Sequence, residues 1–321
     1  MKRVLAIACA ALLTGGGAIG ADWDMPTPYS DKTFHTANII QFAEEVADAS
    51  GGKLNITVHS AGSLIKHPEI KNAVRSQQVP IGEFFLSRLS NEDAAYGIDS
   101  QPFVATSYDD AAKLWAAQKP VITQLLADQK LMPLFSVPWP PQGLYTKNAV
   151  TSVEDLKGLK FRAYNAALEQ FATLAGASPT QVEAADIPQA FSTGQVEAMI
   201  TSPSTGANTK AWDFVSHYSP INAWVPKNLV VVNRNAFDAL DDDVKQVVLD
   251  AAAKAEARGW ELSKSETAVK TAELNDNGMT VTEPSDTLLS GLKAIGSDMQ
   301  KAWQDEASDD AKTIVDVYSG E

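Results

Sequence analysis

DALDDDVKQVVLDAAAKAEARGWELSKSETAVKTAELNDNG, residues 238 to 278, contains no proline, opens on an aspartate-rich turn and closes on Asn-Gly. Acidic residues complement the positive end of a helix, and a glycine just past the last turn stops it. Gly259 is the one weak point inside. The spacing predicts a helix of more than about thirty residues, roughly 50 Å long at 1.5 Å per residue. That exceeds the span of one small domain, so the helix must run along two lobes.

Around it the chain alternates helix and strand. Residues 34 to 49 put Ile39, Ile40, Phe42, Val46 and Ala47 near one helical face, and 54 to 60 alternate as a strand. A first strand is expected within 21 to 32, a short helix over 68 to 74, and a strand in VPIGEFFLSRL. Residues 109 to 129 read as helical, split or kinked at Pro120. LMPLFSV (131 to 137) reads as a buried strand, and PWPP as a stiff crossing between lobes near residue 140. Beyond it come a capping-box pattern in TSVEDLKG, strand LKFRAY, a helix over 167 to 176 and strand TQVEA. Helix 187 to 195, strand VEAMITSP and a helix over 206 to 217 follow. WVPKNLVVVNRNAF, β-branched throughout its middle, returns to the first lobe; MTVTEPS and a terminal helix over 286 to 304 end the chain. This order predicts an α/β protein whose lobes each hold a mixed, mostly parallel sheet with flanking helices. The first lobe takes residues 22–139 plus 227–265, the second 140–226 plus 266–321.

The start reads as a secretory leader over 1–21: Lys2 and Arg3, an apolar VLAIACAALL run, then small residues. That run is too short to span a bilayer of about 30 Å. The single cysteine, Cys9, lies inside the leader, so the mature chain has no disulfide, thiol nucleophile or thiolate metal site. Removing Lys2 and Arg3 takes the formal charge from -14 to -16. Such a chain excludes nucleic acid as a partner, because phosphate contact needs clustered basic residues. An anionic ligand would need a few placed arginines, which singles out Arg88 and Arg162.

Nucleophile-elbow, P-loop, zinc-protease and dinucleotide motifs are absent, and His35, His59, His67 and His217 have no ligand spacing. No cofactor or metal is therefore expected. What remains is polar and aromatic groups at strand ends: Glu83, Phe84, Phe85 and Arg88; Trp139 and Gln142; Arg162, Tyr164 and Asn165; Thr201 and Ser202; Trp224. Ligands of α/β sheets bind beyond the carboxyl ends of strands. Within GLKFRAYN (158 to 165), Arg162 offers a planar fork of donors that fits a carboxylate. A lyase or hydrolase would need an acid–base pair, and only Glu83 is on offer.

VEDLKGLKFRAYN, GASPT and IPQAFSTGQVEAMITSP, in that order, resemble the solute-binding subunits of tripartite ATP-independent periplasmic (TRAP) transporters of the DctP type, as does FDALDDDVKQVVLDAA. The resemblance covers essentially the whole mature chain. It implies a periplasmic, two-lobed binding protein, not an enzyme, that closes on an organic acid and delivers it to small and large membrane permease subunits; the chain itself is expected to be a monomer. It implies a carboxylate salt bridge for the arginine at Arg162, places the family's asparagine near Thr201 and puts a second family arginine on Gln142. With Gln142 there, and Phe84, Phe85, Trp139, Tyr164 and Trp224 near, the expected ligand is a monocarboxylate with an apolar or aromatic body, such as mandelate or a branched 2-oxo acid. Catalysis on such an acid, or presentation of it to a sensor, are the alternatives.

Overall fold

The computed structural model describes residues 20–320, so most of the expected leader, Cys9 included, lies outside the described residues. The first lobe opens with β1 (Ala21–Pro26), α1 (Phe34–Ala49), β2 (Leu54–His59), α2 (Ile70–Arg75), β3 (Ile81–Phe85), α3 (Tyr108–Ala127) and β4 (Leu131–Pro138). The second holds β5 (Gly143–Thr146), β6 (Lys160–Ala163), α4 (Ala166–Leu174), β7 (Ser178–Gln181), α5 (Ile187–Ser192), β8 (Ala198–Thr201), α6 (Pro203–Asn208) and β9 (His217–Ser219). Then β10 (Lys227–Asn233) and α7 (Arg234–Asp238) return to the first lobe. Last come α8 (Asp242–Asp276), β11 (Thr280–Val281), α9 (Asp286–Glu306) and α10 (Asp309–Ser319).

The second-lobe sheet has the order β11-β9-β5-β8-β6-β7, with β6 parallel to both β7 and β8. In the first lobe, parallel strands β1 and β2 form one pair, and β10 lies between β3 and β4, antiparallel to each. The expected mostly parallel sheet therefore fails for β3-β10-β4. The reason is topological: β4 leaves this lobe for the hinge and β10 comes back from it, so the neighbours must run opposite ways. The crossing segments are tied together: Trp139 N–H donates to Pro226 O (2.8 Å), Gln142 N–H to Trp224 O (3.0 Å) and Ala223 N–H to Gln142 O (3.0 Å).

Both large sheets are covered on two faces. One first-lobe core sets Met25, Ile39, Phe42, Val46 and Phe135 against Val248 and Ala255; the other sets Ile70, Phe84, Leu114 and Leu229 against Ala311 and Ile314. Two-sided burial is why LVVV, residues 229–232, forms an unbroken apolar run inside β10, a strand buried at every position.

The 35-residue α8 spans about 52 Å and touches α1 and β4 at one end, α6 and β11 at the other. It is pinned to the first lobe by Asn38 Nδ2 donating to Ala255 O (2.9 Å) and Trp260 Nε1 donating to Ser136 O (3.2 Å). Ser204 donates to Glu266 (2.5 Å) from the second. Gly259 is the point of closest approach, where an added Cβ would run into Val137 and Asn38.

Several sequence expectations shift. Pro120 does not split α3: it is exposed, as is Ala116, whose carbonyl loses its donor and faces water. The helix expected over 206–217 is instead the short α6 and a single turn, Ala211–Asp213. The strand expected at 180–184 begins earlier, at Ser178. A final helix, α10, follows α9; it packs on α3 and the Ala94–Ser100 turns, so the chain's last residues belong with the first lobe and not, as expected for 266–321, with the second.

At the hinge, Lys227 and Asp99 are both fully buried with Nζ 3.2 Å from Oδ2, an ion-pair distance without hydrogen-bond geometry. The same Oδ2 accepts the Lys227 backbone N–H (3.0 Å), so Asp99 fixes the start of β10 twice. Removing one partner strands a buried charge. Asp99→Ala should lower unfolding free energy by about 3–5 kcal/mol in urea titrations, and Asp99→Ala with Lys227→Met should recover part of the loss. Gly259→Ala should cost about 1–3 kcal/mol by the same measurement, although alanine is the better helix former.

Candidate ligand-binding site

Between the lobes lies a cavity whose empty space, open solvent at its mouth included, is about 410 Å³, lined by Tyr29, His67, Phe85, Arg88 and Trp139 from the first lobe and hinge. Gln142, Arg162, Tyr164, Glu183, Ala184, Thr201, Ser202 and Thr205 line it from the second.

Arg162 stands in β6, whose neighbours β7 and β8 run parallel to it and end on the same side. Its residue surface is 3% exposed, yet the side chain's one hydrogen bond among the described residues is Nε to Val182 O at 2.9 Å. Among the described residues no carboxylate forms a salt bridge with it. The guanidinium carbon lies 4.8 Å over the Tyr164 ring, a cation–π contact that orients the fork. Burial pushes its pKa down to about 10, so it stays charged at neutral pH.

Tyr164 ties this platform to the hinge. Its hydroxyl donates to Gln142 Oε1 (3.1 Å) and accepts from Trp224 Nε1 (2.8 Å), and its ring meets Phe85 edge-on at 5.4 Å. Gln142 Nε2 donates to Pro140 O at 2.7 Å, so its amide is engaged at both ends. Trp139 Nε1 and Tyr29 Oη donate to Asn228 Oδ1 (2.9 and 3.3 Å), while the two rings meet edge-on at 5.0 Å. The lobes touch here: Asn165 Nδ2 donates to Ser87 Oγ (2.8 Å), and Arg88 Nη1 to Tyr164 O (3.4 Å).

Eight of the residues expected from sequence therefore line one cavity: Phe85, Arg88, Trp139, Gln142, Arg162, Tyr164, Thr201 and Ser202. Four do not. Phe84 is turned into the core with Ile70 and Leu114, because neighbours along a strand face opposite ways and Phe85 takes the cavity side. Glu83 sits one layer back, accepting from Thr27 and from Asn228 Nδ2 (2.8 Å). Asn165 caps α4, accepting from Leu168 N–H at 2.9 Å. Trp224 is wholly buried against Phe171 and reaches the site only through the Tyr164 hydroxyl. Tyr29, His67, Glu183, Ala184 and Thr205 were missed. Tyr29 follows β1 and Glu183 follows β7, so the strand-end rule applied to those strands would have found both. Nothing in the sequence marks His67. Among the described residues, no group of three or more His, Cys, Asp or Glu is placed to hold a metal ion, and no helix is long and apolar enough to cross a membrane.

A family model described as bacterial extracellular solute-binding protein, family 7 (DctP), matches residues 27–309. Among solved structures, DctP7 of Bordetella pertussis, an extracytoplasmic solute receptor binding pyroglutamic acid, is 43% identical, with TM-score 0.92 over 94% of this chain and 100% of that one. A marine-metagenome TRAP solute-binding protein specific for pyroglutamate is also 43% identical, with TM-score 0.91 over 94% and 99%. A solute-binding protein of Albidiferax ferrireducens is 23% identical over 279 residues, 85% of this chain and 81% of that protein.

Burial, outweighing the bonds from Thr27 and Asn228, pushes the Glu83 carboxyl up to about 7. A raised folded-state pKa means that the folded protein holds a proton the unfolded chain releases, so this group destabilises increasingly as pH climbs from about 4.5 to about 7. Glu83→Gln should remove that trend. Relative to the parent protein, the variant should gain about 3 kcal/mol between pH 4.5 and pH 8 in urea unfolding at stepped pH.

Proposed function

The chain belongs to the family 7 bacterial extracellular solute-binding proteins, the DctP-type receptors of TRAP transporters, and on that footing we propose that it captures pyroglutamate or a close monocarboxylate relative. Receptors of this family bind small organic acids and work with membrane permease subunits. For this chain the route runs through export after loss of the leader, ligand capture as a monomer by closure of the lobes, and delivery of the ligand to the permease.

The observation that carries the ligand class is Arg162: a guanidinium 3% exposed, with one backbone acceptor and no carboxylate among the described residues. A buried cation of this kind is costly unless a counter-ion joins it, and a ligand carboxylate fits its two remaining nitrogens. The second support is that two relatives about as similar as 43% bind pyroglutamate. Pyroglutamate joins one carboxylate to a compact five-membered lactam. The rings of Phe85, Trp139 and Tyr164 supply walls for such a body, and Thr201 and Thr205 supply hydroxyls for its amide. Pyroglutamate keeps the expected single carboxylate and replaces the expected apolar or aromatic body with a small lactam ring.

The test is calorimetry and thermal shift on protein freed of co-purified ligand, against pyroglutamate, mandelate and branched 2-oxo acids. Pyroglutamate at about a hundred times its Kd should stabilise the fold by about 2.7 kcal/mol. Arg162→Ala should weaken binding by at least about thirty-fold. Equal affinity in the Ala variant would sink the carboxylate assignment, and a stronger shift with mandelate would sink the lactam.

A further inference from the structure

Two arginines face the cavity, but only one lacks a negative partner. Arg88, in the turn after β3, has Nη1 2.9 Å from Glu183 Oε1, which the loop after β7 brings from the other lobe. The second oxygen, Oε2, lies 3.2 Å from His67 Nδ1. His67 Nε2 accepts the Phe85 backbone N–H at 3.1 Å, so the ring's single proton must sit on Nδ1 and point at Glu183. A second proton, on Nε2, would face another donor. Burial and the nearby Arg88 and Arg162 hold the His67 pKa below its ordinary value despite Glu183. Glu183 stays ionised: burial opposes this, but His67, Arg88 and Arg162 hold its pKa below the usual range. Tyr29, whose ring meets His67 edge-on at 5.8 Å, adds no charge, its hydroxyl pKa being raised by burial.

The charges facing the ligand therefore reduce to two guanidiniums, one carboxylate and a neutral imidazole. Ionisation of Glu83, one layer back, would only make the surroundings more negative.

We propose that Glu183 sets the charge of the ligand: by neutralising Arg88 across the cleft it leaves one guanidinium for one carboxylate and shuts out dicarboxylates. This rests on the carboxylate reading of Arg162 and adds a selection rule to it. A second ligand carboxylate would have to displace Glu183 from Arg88 and His67. Those bonds join the lobes, so accepting a dianion would undo the contacts that close the cleft. Because Glu183 belongs to one lobe and its partners to the other, the rule is applied at closure.

Glu183→Gln tests it, since the amide keeps an oxygen for His67 Nδ1–H while freeing Arg88. The probes are pyroglutamate and glutarate, a five-carbon dicarboxylate, measured by calorimetry near pH 8 with His67 neutral. The parent protein should prefer pyroglutamate by about a hundredfold or more. Glu183→Gln should raise the affinity for glutarate relative to pyroglutamate by at least about tenfold over the parent. Adding Arg88→Gln should abolish that gain. An unchanged glutarate-to-pyroglutamate ratio in Glu183→Gln, or a parent protein that takes both equally, overturns the proposal. Should Glu183→Gln not fold by circular dichroism, Arg88→Gln decides: with Glu183 unopposed, the preference for pyroglutamate over its uncharged carboxamide should fall by at least about tenfold. No change in that preference overturns the proposal too. A parent protein that binds neither acid instead refutes the pyroglutamate reading on which the proposal rests.

Discussion

A guanidinium buried with no counter-ion among the described residues is the constraint on which this molecule turns. Arg162 is held from below by the Tyr164 ring and from the side by Val182 O. The Tyr164 hydroxyl is in turn bonded to Gln142 and Trp224, which stand on the two crossing segments of the hinge. Hinge and arginine platform are one hydrogen-bonded unit. Under the function proposed above, a ligand carboxylate seated on the guanidinium would act directly on the hinge, and would thereby bias any rotation of the lobes.

The hinge is built to hold that unit steady. Asp99 grips the start of β10 through both the backbone and the ammonium of Lys227, with the Trp115 ring 5.8 Å from Nζ. On the first-lobe side, Asn228 gathers Tyr29, Trp139 and Glu83 around one amide. The cavity wall is thus set by residues one layer behind it, and Glu83 belongs to that layer although a strand-end reading assigned it to the ligand.

How far the sequence could be read follows from the range of the interactions involved. The long helix was legible because its signals are local: an acidic start, no proline, Asn-Gly at the end. Its true start, Asp242, is later than Asp238 because α7 takes the preceding turn. Gly259 looked like a flaw and is a close approach, which only packing against Val137 reveals. One of Phe84 and Phe85 could have been excluded from sequence alone, since neighbours on a strand cannot share a face, but only packing shows that it is Phe84. His67 could not: it matters because it bridges Phe85 N–H and Glu183, 116 residues along the chain. Contacts between the lobes join segments with no common periodicity, so pattern reasoning is blind to them.

The position of α10 carries a practical consequence. It packs on α3, so it belongs to the same lobe as β1, and in the opening and closing proposed above the two ends of the folded body would travel together. Fluorophores fused at both ends would keep nearly the same separation in the empty and filled receptor. An optical sensor made from this scaffold needs one label inserted in a second-lobe loop, such as the exposed turn around Gly194, paired with one at either terminus.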